Sequence, residues 1–531
     1  MHPTASHSPL SPLNALLHAG SVWGERPAVR WDDWSVTYRE LVDRCARVAG
    51  VIAQCGIEPG ERVAALLPNV PELLEMHFAA PAARAVFVPI NVRVSATELA
   101  HILEHCEARL LVTHPSLDAT VAEAVATLAS PPQVIMTRAD ADDRSEYDDR
   151  LAAAPPVVIT APADETGLLS INYTSGTTGR PKGVMYTHRG AYMQTLGVVA
   201  EAQLDTRTAY LWTLPMFHCH GWAFTWAVTA MGGEHRCLAK FDAAKVWGML
   251  AAGEVTHFCG APTVLTMLAA DPSATRLPRA VRVFVGGAPP SPALLRLVED
   301  LGMQVTHLYG LTETYGPIAV CAWQPAWDAL DAPERMVMRS RQGVASVVGE
   351  VLRIVDHQLV DVPADGQTMG EIVMRGNNVA IGYYRDDAAT AAAFADGWFR
   401  SGDLGVMHPD GYVEIRDRAK DMIISGGENI SSIEVEHALA AHPDVIEVAV
   451  VAVPDDVWGE VPKAYVVTGG GVHLTAEDVR EYARTRLARH KVPKTVEFVD
   501  ALPRTATGKV QKHVLRNREE VFGGGARAVR P

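Results

Sequence analysis

Residues Tyr173 to Val184 read Tyr-Thr-Ser-Gly-Thr-Thr-Gly-Arg-Pro-Lys-Gly-Val and follow directly on the apolar run Leu168 to Asn172. Three glycines, four small hydroxyls and two cations in one loop make a cradle for phosphate. Free backbone N–H groups, hydroxyls and a lysine are the groups that hold a triphosphate, and glycine lets the backbone come close to it. The spacing is not that of a Walker loop, because Pro181 stands five residues after Gly176 and Gly183 follows Lys182. A Gly/Thr/Ser loop is also a common surface turn. The rest of the chain has to decide between the two.

From Leu168 onward short apolar strands alternate with amphipathic helices, the pattern of a sheet covered by helices. Strand-like runs are Leu168 to Asn172, Tyr210 to Leu214, Val255 to Cys259, Val281 to Val285 and Gln304 to Leu308. Asp242 and Ser291 are N-caps for the helices that follow them, and Gly302 ends the second. The alternation also occurs before residue 160, which predicts a related first half bounded by the Pro/Ala/Asp-rich stretch Thr137 to Asp164. The clearest boundary is the charged segment Arg416 to Asp421, followed by a compact α+β unit opened by the capping box Ser431-x-x-Glu434. The expected fold class is α/β: a large N-terminal domain of layered βα subdomains, 1–419, and a small α+β C-terminal domain, 420–531, joined by a hinge near Lys420.

At 531 residues the chain exceeds one hydrophobic core. A formal charge of −15 argues against a nucleic-acid surface, and anionic ligands need locally placed cations. No run approaches the roughly 18 apolar residues of a membrane span, and Met1 to Leu17 lacks the pattern of a secretion signal. Seven cysteines without a C-x-x-C pair suit a reducing compartment, and the cytoplasm is the expected location. The His/Cys pairs at 218 to 220, 235 and 237, and 257 and 259 are read as core rather than as metal ligands.

Further segments stand directly after strands, where α/β proteins bind ligands. In His307-Leu308-Tyr309-Gly310-Leu311-Thr312-Glu313-Thr314, Glu313 offers a hard oxygen to Mg²⁺ and Tyr309 an aromatic face to a base. Gly286-Gly287-Ala288-Pro289 permits close backbone approach to a flat ring. Asp403, in Ser401-Gly402-Asp403-Leu404-Gly405, could accept both vicinal hydroxyls of a ribose. Each of these is, alone, as readily an ordinary turn.

Together with Thr505-Ala506-Thr507-Gly508-Lys509, these segments resemble, in order and over residues 25 to 515, the acyl-adenylate-forming superfamily, which includes acyl-CoA synthetases, peptide-synthetase adenylation domains and beetle luciferases. The resemblance implies that Thr174, Ser175, Gly176, Thr177, Thr178, Gly179 and Lys182 grip the β- and γ-phosphates of ATP. It implies that Thr174 and Glu313 hold Mg²⁺, and that Gly287, Ala288, Pro289, His307, Tyr309, Gly310 and Thr312 surround the nucleotide. Asp403 and Arg418 take the ribose, Lys420 is the hinge, and Lys509 is the catalytic lysine that bridges the carboxylate and the α-phosphate. After adenylation the small domain rotates and brings Gly426 and Gly427 toward the adenylate, where the thiol of coenzyme A attacks.

His218 resembles the aromatic gate between ATP and the acid, and Trp222, Gly286, Gly310 and Leu311 are expected in the acyl pocket. Glycine at 310, where acetate-specific relatives carry tryptophan, implies room for a longer or aromatic group. The implied activity is that of an AMP-forming acid:CoA ligase acting on a fatty or aryl acid of short to medium length, with ATP, Mg²⁺ and coenzyme A. A homodimer is compatible with such a chain. An adenylation enzyme serving a carrier protein and a non-catalytic adenylate-binding protein remain alternatives at the level of sequence.

Overall fold

Four sheets organise the chain in the computed structural model, which describes residues 8–174, 181–469, 473–505 and 509–522, with side chains as far as residue 517. A six-stranded sheet runs in the order Gln133–Met136, Ala108–Thr113, Arg62–Leu66, Val86–Pro89, Leu168–Tyr173, Gly183–Thr187. Its strands are parallel up to Leu168–Tyr173, which turns back antiparallel into Gly183–Thr187. The segment 174 to 182 therefore joins two neighbouring strands.

The second large sheet has nine strands, with Met303–Leu311, Val281–Val285, His257–Gly260 and Ala209–Leu211 side by side in parallel. Here the expected related first half, up to about residue 160, does not keep to a sheet of its own. The strands Pro27–Trp31 and Trp34–Thr37 leave the N-terminal residues and complete this nine-stranded sheet, Val29 lying opposite His235. Conversely, Leu168–Tyr173 and Gly183–Thr187 complete the sheet of residues 62 to 136. The physical reason is a shared core: one continuous apolar cluster runs from Leu13 through Trp226 to Tyr383, so neither half closes without the other.

Local signals fare better. Val281–Val285 is a strand over the expected residues, all but Arg282 buried. Asp242 accepts the Lys245 N–H at 2.8 Å to cap Ala243–Ala251, and Ser291 caps Pro292–Asp300, after which Gly302 turns at φ +96°. The strand Gln304 to Leu308 extends to Met303–Leu311, because the antiparallel partner Gly316–Val320 continues it.

A four-stranded antiparallel sheet, Arg353–Val355, Gly370–Met374, Phe399–Met407 and Val413–Arg418, leads to the C-terminal unit. That unit is a five-stranded sheet with the helices Ser432–Ala440 and Ala476–Arg484 packed on Ile423, Val450 and Val466. The Ser431 capping box is half formed. Ser431 Oγ accepts the Glu434 N–H at 3.0 Å, but Glu434 turns to Lys491 at 2.7 Å. The charged stretch before it is also more than a solvated linker. Asp417, 1% exposed, accepts from the Ser432 N–H at 2.5 Å and the Ser432 hydroxyl at 3.1 Å.

Candidate active site

The loop 174 to 182 is closed at its base by the Thr174 N–H, which donates to the Lys182 carbonyl at 2.9 Å. Ser175, Gly176, Thr177, Thr178 and Gly179 lie outside the described residues. Beyond the base, the segment Ala380 to Tyr384 runs beside Gly183–Thr187, with Met185 N–H on the Gly382 carbonyl and Tyr384 N–H on the Gly183 carbonyl. This brings three distant stretches together. The Lys182 ammonium stands 4.9 Å over the Tyr383 ring, the Tyr383 hydroxyl donates to Glu313 Oε1 at 2.7 Å, and the Ala380 N–H donates to the Glu313 carbonyl at 2.8 Å. Burial, and then the carboxylate of Glu313, pushes the Tyr383 phenol up, so it stays a donor. Thr312 is held from behind, its carbonyl accepting the Tyr186 hydroxyl.

A second group forms where Asp403 and Arg418 face each other across antiparallel strands. Arg418 Nε meets Asp403 Oδ1 at 3.0 Å and the Tyr309 hydroxyl donates to Asp403 Oδ2 at 2.7 Å. Each carboxylate oxygen keeps a further lone pair for a ligand. Tyr309 is only 8% exposed and packs against Ile318, Ile354 and Phe399, so it orients Asp403 and does not offer the expected open face. His307 is spent similarly: Nδ1 donates to the carbonyls of Ser340 and Arg341, leaving Nε2 alone to reach a ligand, and burial lowers its pKa to about 4.

Lys509 reaches this group from the C-terminal unit, close enough for its charge to be felt by Arg418, Asp403, Asp421 and Lys420. Its backbone is pinned by the Thr505 hydroxyl, which accepts the Lys509 N–H at 3.1 Å. Burial first, and Arg418 second, pull its ammonium down to about 8, with Asp403 and Asp421 opposing. Burial and Arg418 lower Lys420 in the same way.

The third group is conformationally unusual. Cys219, His220, Gly221, Trp222 and Ala223 all have φ between +48° and +64°, one turn of left-handed helix. Four of the five carry a Cβ, so the turn costs roughly 1–2 kcal/mol for each of them, and it persists because its surroundings fix it. His220 Nε2 pairs with Ser170 Oγ at 2.7 Å and its ring lies against both Trp226 and Tyr315. Gly221 packs onto Trp212, where any Cβ would overlap the indole. His218 stands at the entrance to the turn, with burial lowering its pKa to about 4, so the ring is neutral at pH 7. His235 serves the core, its Nδ1 accepting from Trp212 Nε1 at 3.2 Å. Among the described residues no group of three His, Cys, Asp or Glu could hold a metal ion.

The AMP-binding enzyme family model matches residues 16–384, and the AMP-binding enzyme C-terminal domain matches residues 434–509. The chain belongs to the AMP-binding enzyme family. It is 44% identical to the 2-methylpropanoate–CoA ligase CCL4 of Humulus lupulus, covering 98% of this chain and 97% of that one. It is 40% identical to the peroxisomal acetate/butyrate–CoA ligase AAE7 of Arabidopsis thaliana, over 98% and 96%. Among solved structures, the o-succinylbenzoate CoA synthetase of Bacillus subtilis in complex with its acyl-adenylate intermediate superposes with a TM-score of 0.83 at 29% identity, over 98% and 99%.

In this AMP-binding enzyme the expected roominess at Gly310 is corrected by its direction. A Cβ at Gly310 would overlap the Gly316 carbonyl and come within 2.8 Å of Pro317 Cα, at the bulge between Met303–Leu311 and Gly316–Val320. The space is occupied by backbone, not left for substrate. Gly310→Ala is therefore expected to cost about 1–3 kcal/mol by overpacking, lowering the melting temperature and the activity with every acid alike; a changed ranking of acids at unchanged stability would contradict this packing. Leu311 is placed similarly, against the Ile318 core and with its N–H on Thr314 Oγ1 at 2.9 Å. Trp222, by contrast, packs against the two glycines Gly286 and Gly316. Gly287, exposed and at φ +84°, turns the chain out of its strand and leaves Ala288 and Pro289 half-buried. Tyr383 is the residue that sequence reading misses: its only signal is the short β-prone run Ile381-Gly382-Tyr383-Tyr384, far from any Gly-rich motif.

Proposed function

We propose that the chain is an AMP-forming acid:CoA ligase that activates a short to medium-length carboxylic acid with Mg·ATP, releases pyrophosphate, and passes the acyl group from the acyl-adenylate to the thiol of coenzyme A. The observation that carries this reading is the Asp403–Arg418 pair of the large unit, held by the Tyr309 hydroxyl, with the Lys509 cation of the C-terminal unit near enough to act on it electrostatically. The ligase names of the relatives support it.

In this reading Asp403 receives the ribose hydroxyls on its remaining lone pairs, with Arg418 as second contact, while Gly286 to Pro289 lie along the base. Lys182 and the loop it closes take the β- and γ-phosphates, which leave as pyrophosphate when the acid's carboxylate attacks the α-phosphorus. Lys509 places its cation between the attacking oxygen and the α-phosphate, where negative charge accumulates. His218, neutral and half-buried, lines the passage between acid and nucleotide. Residues 420–531 then rotate about Lys420, withdrawing Lys509 and presenting the hairpin tip at Gly426 and Gly427. Both glycines have positive φ, +60° and +88°, and a Cβ at Gly426 would press on Trp458 at 2.7 Å.

The donor set fits a hard divalent cation. Tyr383 ties Glu313 Oε1 and leaves Oε2, and Thr174 adds a hydroxyl; Mg²⁺ beside phosphates is usually held by one or two carboxylates, with water and phosphate completing its shell. Bound there, the ion offsets triphosphate charge. Glu313→Gln is expected to raise the Mg²⁺ concentration needed for half-maximal pyrophosphate release by about tenfold, equivalent to roughly 1.4 kcal/mol; an unchanged Mg²⁺ dependence removes Glu313 from the metal site.

The reading is tested with a panel of carboxylic acids assayed for AMP release with and without coenzyme A. CoA-dependent AMP and thioester formation is expected. AMP release unaffected by coenzyme A transfers the function to carrier loading, and ATP binding without pyrophosphate exchange for any acid makes the protein a non-catalytic binder. We place the protein in the cytoplasm on the strength of its seven free, buried cysteines, which suit a reducing compartment. No described helix is long and apolar enough to cross a membrane, and the Arabidopsis relative is named as peroxisomal.

A further inference from the structure

The chain leaves the strand Ala209–Leu211 and runs without regular structure from Trp212 to Phe217 before the left-handed turn, with His218 at the junction. Trp212, Leu214, Met216 and Phe217 are buried, and His218 is half-buried. A buried stretch with no helix or strand of its own needs partners from elsewhere for its backbone groups. Asn69 supplies several. Its Nδ2 donates to the Trp212 carbonyl at 2.8 Å and to the Leu214 carbonyl at 3.0 Å, and its Oδ1 accepts the Met216 N–H at 2.8 Å. These partners fix which way the carboxamide faces, since carbonyls only accept and an N–H only donates. A second carboxamide acts one residue further on, where Asn172 Nδ2 donates to the Phe217 carbonyl at 3.0 Å.

Both asparagines come from the six-stranded sheet, Asn172 within a strand and Asn69 in the turn that leaves Arg62–Leu66, whereas the segment they hold continues a strand of the nine-stranded sheet. Asn69 is buried and stands on a stiff base. Pro68 precedes it, Pro71 opens the helix Pro71–Ala82 just after it, and the Val70 N–H closes onto the Pro68 carbonyl at 2.8 Å. That helix also touches the far side of the junction, the His77 ring meeting His220 edge-on at 4.9 Å. His218 is thus bracketed, by Asn69 on the residues before it and by His77 on those after.

We infer that Asn69 is a positioning residue for the acid side of the reaction: its carboxamide sets the path of Trp212 to Met216, and through it the place of His218 between acid and nucleotide. This rests on the ligase reading above, in which His218 lines that passage. Asp403 and Arg418 stand on other strands, so ATP binding is expected to survive the loss of Asn69.

The experiment compares wild type with Asn69→Ala and Asn69→Ser, each with a measured melting temperature, on straight-chain acids from acetate to octanoate and on 2-methylpropanoate, with coenzyme A and saturating ATP. Alanine leaves a polar gap that water can enter, so the fold is kept while the tether is lost. For the acid that wild type turns over best, kcat/KM is expected to fall by about 10–100-fold, the scale of a small misplacement near the reacting groups, while ATP affinity titrated without acid stays within about twofold. In a His218→Ala background, adding Asn69→Ala should lower kcat/KM by no more than about twofold, because a residue that acts through another is not additive with it. A merely structural role would cost the same in both backgrounds, and that result would overturn the positioning role. Loss of ATP affinity in step with the loss for the acid would overturn it too, as would an unchanged kcat/KM in folded variants. AMP release by the wild type with none of the acids would overturn the ligase reading and the positioning role with it.

Discussion

Lys509→Ala is expected to slow pyrophosphate release by about 10²–10³-fold, the loss typical of a preorganised group aimed at developing charge, while thioester formation from a supplied acyl-adenylate stays near the wild-type rate. Equal loss of both steps would contradict the division of labour between the two half-reactions. The same lysine sets a pH dependence. Its ammonium is depressed to about 8, so the cation that performs the work is fully present well below that pH and is lost as pH rises through it. Since kcat/KM reports groups of the free enzyme, kcat/KM for ATP in the adenylation step should be level at neutral pH and fall about tenfold per unit on the alkaline side. Lys509→Arg, charged throughout this range, should lose the alkaline limb even at a lower rate. A limb that survives that substitution belongs to another group.

Asp403→Asn is expected to have the next largest effect, raising KM for ATP by about 10–100-fold, because hydrogen bonds to a charged partner are worth about 1.5–3 kcal/mol. It also removes the counter-charge of Arg418 and leaves a single amide oxygen for which the Arg418 guanidinium and the Tyr309 hydroxyl compete. Breaking a fully buried pair costs about 3–5 kcal/mol; the Arg418 side chain keeps some solvent access, so about 2 kcal/mol is the expected loss of stability. Measuring ATP affinity and melting temperature on the same preparations separates the two consequences. Normal ATP binding in a destabilised Asp403→Asn would leave the carboxylate a structural role only.

What the sequence discloses is whatever depends on neighbours along the chain. Asp242 and Ser291 cap helices because a short acceptor side chain meets N–H groups three residues on, and Val281–Val285 is a strand because its apolar residues are consecutive and bounded. Of the candidate site, sequence names Asp403 and Arg418, which pair, and Lys509, whose charge acts on theirs from a distant segment. The rest depends on approach from elsewhere. Nothing local to Gly310 tells that its Cβ direction runs into the Gly316 backbone. The Tyr383 hydroxyl finds Glu313 only because the segment Ala380 to Tyr384 lies along Gly183–Thr187. A run such as Cys219 to Ala223 gives no sign of left-handed backbone, since four of its residues prefer the opposite hand and tertiary packing overrules them. The assignment of strands to sheets was hidden for a related reason: Val29 and His235 pair across some two hundred intervening residues.

The caps that span Lys420 give the chain a latch. Asp417 and the Arg416 carbonyl lie before Lys420, Ser431 and Ser432 lie after it, and the bonds among them tie the two sides of that residue together. If the small unit turns about Lys420 as proposed, those bonds have to break, and the proposed switch between half-reactions would begin by freeing the Ser432 N–H from Asp417. The pace of alternation would then be governed by two serine hydroxyls and one buried carboxylate, a clutch set apart from the reacting atoms and open to adjustment without altering them.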